Sequence, residues 1–140
     1  MLCRKTKTIN LFDKYSITLP GKLKCFSEGF PGKRVLFITD RFESFIVSFE
    51  EGMKNMLLNE AKGVASKFFE YSENGKSIKA QRIIPSENEN GGYAFFSIEM
   101  DDNGRKAELN GQMTAHGSYK WSDNIELTLI TILQGVRIKT

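Results

Sequence analysis

The sequence predicts an α+β domain: a mostly antiparallel sheet of about six or seven strands, with a C-terminal amphipathic helix over about 123–134 packed on one face. Three observations carry this expectation. Short runs of alternating or continuous apolar residues recur along the chain between Gly, Pro, Asn and Asp turn signals. Asn74-Gly75 separates two such runs, and both residues of that pair accept positive φ, as a tight hairpin requires. One helical stripe then follows near the C-terminus.

The elements follow in chain order. Tyr15-Ser16-Ile17-Thr18-Leu19 alternates strictly and stops at Pro20-Gly21, a turn pair. Val35-Leu36-Phe37-Ile38-Thr39 is apolar on both faces, as a central strand would be. Phe45, Val47 and Phe49 alternate with Ser44 and Ser48 and predict the next strand. A short helix could run from Met53 to about Lys62, because Met53, Met56, Leu57 and Ala61 share one side between Gly52 and Gly63. Lys67 to Tyr71 and Ser77 to Ile84 form the first hairpin around Asn74-Gly75. Pro85 to Gly92 is the longest polar stretch and reads as a loop. Tyr93 to Met100 and Arg105 to Met113 form a second hairpin across Asp101-Asp102-Asn103-Gly104. Asp123, with Glu126 three residues on, has the spacing of a capping box. Ile125, Leu129, Ile132 or Leu133, and Val136 make the apolar stripe, Gly135 is placed to end the helix, and Val136 to Lys139 could form a last strand.

The chain has 140 residues, the length of one domain, so 1–140 is read as a single unit. A chain of this size buries enough surface to fold without a disulfide or metal. Its 40% hydrophobic and 26% charged content is ordinary for a globular protein and argues against disorder. Eleven Phe residues favour sheet, because large rings fit a pleated surface. The net charge of +3 is unevenly spread: residues 1–34 hold eight basic and two acidic residues, and the remainder holds twelve basic and fifteen acidic. A basic end could attract nucleic acid, anionic lipid or an acidic partner. No run of apolar residues is long enough to span a membrane, and no secretory signal is visible at the N-terminus. The sequence as read is therefore expected in the cytoplasm, or at the envelope if a leader was removed. Cys3 and Cys25 fit no zinc spacing; two free thiols are expected, with one disulfide between them as the alternative.

Two segments carry a resemblance. Tyr15-Ser16-Ile17-Thr18-Leu19-Pro20 and Thr131-Ile132-Leu133-Gln134-Gly135-Val136 resemble the opening strand and closing helix of the PsbP/Mog-like superfamily, and the order of the parts between them is similar. The Trp that usually follows the Pro is absent, as Gly21-Lys22-Leu23 stands there. The resemblance implies an accessory or binding protein, and no functional residue carries over from it.

No catalytic residue is nominated. The one histidine, His116, lies beside Gly117 without a nucleophile-elbow motif. Glu50-Glu51 would be split to opposite faces of a strand, and Asp101-Asp102 suits a turn. No metal or cofactor is expected, since the calcium-loop and phosphate-loop registers both fail. Gly29-Phe30-Pro31-Gly32-Lys33-Arg34 reads as a turn whose Lys33 and Arg34 could hold an anion. Tyr119 and Trp121, just before the helix, could staple its start or serve as an exposed anchor. The binding candidates are thus Tyr119, Trp121, Lys33 and Arg34. The reading that follows is a non-catalytic binding or accessory domain with a protein partner. The alternatives are nucleic-acid binding through the basic N-terminal third, and a small-ligand site or enzyme pocket between sheet and helix.

Overall fold

A computed structural model describes residues 5–57, 65–73, 75–84, 93–115 and 123–139, and the structural statements below concern these. They form ten strands and one helix: β1 (Thr6–Leu11), β2 (Tyr15–Pro20), β3 (Lys24–Glu28), β4 (Val35–Thr39), β5 (Phe45–Glu50), β6 (Ala65–Glu73), β7 (Lys76–Ile84), β8 (Tyr93–Asp102), β9 (Arg105–Ala115), α1 (Asp123–Gln134) and β10 (Val136–Ile138). The strands make two sheets, one of three in the order β1-β2-β10 and one of seven in the order β3-β4-β5-β9-β8-β7-β6. Every pairing is antiparallel. The expected six or seven strands become ten in two sheets: β1 and β3 had no expected strand, and β10 is the short last strand expected at Val136 to Lys139.

Local chemistry sets the turns. Asn103 and Gly104 both take positive φ, 53° and 89°, which closes the β8–β9 hairpin, and the Asp101 carboxylate accepts the Gly104 N–H at 2.9 Å. The Lys33 N–H donates to the Phe30 carbonyl at 2.8 Å across Pro31 and Gly32, a turn with Pro first and a positive-φ residue second. The helix expected from Met53 is absent in its described half: residues 53–57 have no regular structure, and the rest lies outside the described residues. The cause is competition for the backbone. The Met53 carbonyl accepts the Asn110 side-chain amide at 3.0 Å, and the Leu57 N–H donates to the Asn55 side chain at 2.9 Å.

One apolar cluster joins both sheets and the helix. The small sheet contributes Leu11, Ile17, Leu19 and Val136, and α1 contributes Leu129, Ile132 and Leu133. The large sheet meets them with a row of directly opposed residues, Leu36, Phe49, Gly111, Phe96 and Ala80. The helix lies against β2 and β7. Ile17 pairs with Val136, and the Thr18 N–H donates to the Gly135 carbonyl at 2.9 Å, so β2 and the chain leaving α1 touch each other. Gly135 does not take the left-handed conformation expected after a helix. Its role is close approach: an added Cβ would overlap the Thr18 carbonyl oxygen. No helix among the described residues is long and apolar enough to cross a membrane.

Candidate binding surface

Arg34 belongs to an internal clasp. The β1–β2 turn holds Phe12 and Asp13 at φ 55° and 63°, a costly conformation for a bulky residue. Arg34 secures that turn from the large sheet. Its guanidinium lies over the Phe12 ring, 5.8 Å from the centroid, and Nη1 donates to Asp13 at 2.8 Å. Nε and Nη2 fork onto Glu51 at 3.0 and 2.9 Å. Glu51 also accepts the backbone N–H groups of Gly32 at 2.8 Å and Arg34 at 3.2 Å. All three guanidinium nitrogens are therefore committed: Nη1 reaches the small sheet's turn, while Nε and Nη2 hold Glu51 at the end of β5. Lys33, next in the chain, is exposed. Tyr119 and Trp121 lie outside the described residues, as do His116, Cys3 and the Pro85–Gly92 loop. Cys25 is a free, half-buried thiol whose pKa is pushed up by burial.

The clasp makes stability depend on acid. Hydrogen bonding to Arg34 holds the Glu51 carboxyl down at about 2, against an ordinary 4.5, and lowers Asp13 as well. The folded state gains from both carboxylates above their ordinary values and loses that gain as pH falls through about 2. Glu51→Gln should therefore lower stability at neutral pH and flatten its decline between pH 4.5 and 2. Urea unfolding at several pH values checks this, and an unchanged acid limb would contradict it.

The seven-stranded sheet has a second face, opposite the core. One row of directly opposed residues crosses all seven strands there: Phe26, Phe37, Ser48, Gln112, Phe95, Gln81 and Phe68. All five buried polar residues of the described chain, Thr39, Ser48, Gln81, Ser97 and Asn110, project to this outer face. That is unusual, since buried positions are normally apolar. The chain after β5 explains part of the burial, because it crosses β9, bonding Met53 to Asn110 and Asn55 to Glu108 at 3.0 Å each. Ser97 donates to Glu108 at 3.1 Å. The Asn110 side-chain oxygen is buried with no donor among the described residues.

Aromatic rings flank this polar centre. Phe26 stacks on Phe37 with centroids 5.0 Å apart, and Tyr93 meets Phe95 edge to face at 5.4 Å. Phe26, Phe68 and Tyr93 are 49%, 48% and 39% exposed. Among the described strand residues, the face also bears six carboxylates, Glu28, Glu50, Glu70, Glu99, Asp101 and Glu108, against three lysines, Lys24, Lys79 and Lys106. None of these residues was a sequence candidate. The signal available was the phase of the strands: Phe26, Phe37, Phe95 and Tyr93 alternate opposite to the core residues beside them.

A separate cleft of about 530 Å³ lies where α1 ends, between the hairpin tips and β10. Its half-buried lysine, Lys76, donates to the Gln134 carbonyl at 2.7 Å and sits 3.5 Å from Glu73. A cation at the last carbonyls of a helix complements its dipole, so Lys76 caps α1 from another element. Burial lowers its pKa. Among the described residues, no group of three or more His, Cys, Asp and Glu is placed to hold a metal. Compared with protein-family models, curated proteins and solved structures, the chain matched none.

Proposed function

We propose that this chain is a non-catalytic binding or accessory domain that takes a protein partner on the outer face of the seven-stranded sheet. The observation that carries the reading is the set of exposed rings around the buried polar centre of that face, Phe26, Phe68 and Tyr93. Exposed Phe26, Phe68 and Tyr93 supply the aromatic anchors that protein interfaces favour. Six carboxylates against three lysines suit a neutral or basic partner and repel a phosphate backbone. The resemblance to the PsbP/Mog-like superfamily supports the same reading.

The test is capture of partners from native cells with the wild-type chain and with Phe26→Ser and Tyr93→Ser. A specific partner should be retained by the wild type and weakened by about tenfold or more in at least one variant. Equal capture by all three would overturn the outer face as the site. Nucleic-acid binding through the basic N-terminal third would show instead as a gel-shift complex at low salt that fades as salt rises. No such complex is expected.

A further inference from the structure

We infer that β6 is a docking edge for a second copy of this chain, the two strands pairing antiparallel about a two-fold axis through Phe69. The inference is independent of the outer-face reading. β6 ends the seven-stranded sheet, and among the described residues nothing pairs with its far side. It has nine residues, against five in β3 at the other end and three in β10, so it offers an edge of about 30 Å. Its ladder to β7 runs residue for residue from Ala65 to Glu73 without a bulge or proline, the usual devices that blunt an edge. Phe68 and Tyr71, on opposite faces of the strand, are 48% and 37% exposed.

The phase of the edge is fixed by the turn. Glu73 faces Lys76 across a two-residue connection, and such a connection closes on a hydrogen-bonded pair. Odd-numbered residues of β6 therefore bond to β7. Ser66, Phe68, Glu70 and Ser72 turn their backbone N–H and C=O groups outward. A second β6 can match these only in registers that set outward residues against outward residues.

The register that pairs the whole strand places Ala65 opposite Glu73, Lys67 opposite Tyr71, Phe68 opposite Glu70, and Phe69 opposite itself. It sets no like charges directly against each other. Lys67 already pairs with Glu126 at 3.2 Å and would meet the Tyr71 ring of the other copy, a favourable cation–π arrangement. A slip of two residues one way opposes Glu70 to Glu70. The same slip the other way strands Glu73 beyond the end of the ladder. Self-complementarity of charge and length thus points to a second copy, in the closed isologous contact of a symmetric dimer.

Sedimentation across a wide concentration range tests this. The mass should rise from 15.9 kDa towards twice that value. In hydrogen exchange, the amides of Phe68, Glu70 and Ser72 should gain protection with concentration, while those of Lys67, Phe69 and Tyr71 are protected throughout. Glu70→Pro removes an outward N–H without breaking the β7 ladder, so it should abolish the dimer and leave the monomer folded. Tyr71→Lys, which sets a lysine against Lys67 of the other copy, should weaken dimerisation roughly tenfold, and Tyr71→Glu should not. A monomer at every concentration would overturn the inference, as would a dimer indifferent to Glu70→Pro and Tyr71→Lys.

Discussion

Gly111→Ala is expected to destabilise the fold by about 3 kcal/mol or more. Gly111 faces Phe49 on β5 and Phe96 on β8, at the centre of the large sheet's core face. The two rings meet edge to face with centroids 5.3 Å apart. An added Cβ would overlap the Ser48 carbonyl oxygen and come within 2.5 Å of the Phe96 ring tip. The ring could turn aside. The carbonyl belongs to the β5 backbone, so relief there requires β5 to move away from β9, and interiors are too closely packed to absorb that. Urea unfolding gives the number. A change below about 1 kcal/mol would mean that the two central strands are not as close as described.

Gly135→Ala is the second large effect, of similar size, about 3 kcal/mol. Here the clash is with the Thr18 carbonyl oxygen, at the point where the chain leaves α1 and joins β2. The Thr18-to-Gly135 hydrogen bond at 2.9 Å lies in the same contact. Separating the strands there exposes Val136 and unpairs β10, which has only three residues to hold it. The loss should be local at first. Exchange of the Thr18 amide should accelerate more than that of amides in β8 or β9. Uniform acceleration would show that the small sheet has no separable stability.

The strands with an apolar stripe were legible in the sequence, and the helix was legible to its ends. Val35–Thr39 stands where its continuous apolar run placed it, Phe45–Glu50 where its alternation did, and α1 occupies Asp123–Gln134. Both hairpins followed from their turn residues. β1 and β3 were not legible. Thr6–Leu11 and Lys24–Glu28 lie at sheet edges, where one side needs no burial and the pattern fades. The Met53 segment had helical spacing, but the Asn110 and Asn55 side chains took its backbone groups, and those contacts reach across 57 residues of sequence in one case.

The candidate site was less legible for the same physical reason. Ser48, Gln81, Ser97 and Asn110 read as solvent positions of alternating strands. Only the pairing of seven strands, and the segment that crosses them, makes them buried neighbours. Arg34 did stand out in the sequence, as one of two adjacent cations. Its place between Asp13 and Glu51 depends on two turns far apart in the chain.

The outer face can be tested directly in native cells. A photo-crosslinking residue placed at Tyr93, on that face, is compared with one at Lys14, exposed on the β1–β2 turn. Binding on the outer face predicts a defined protein adduct from position 93 and none from position 14. Adducts from position 14 alone would contradict it.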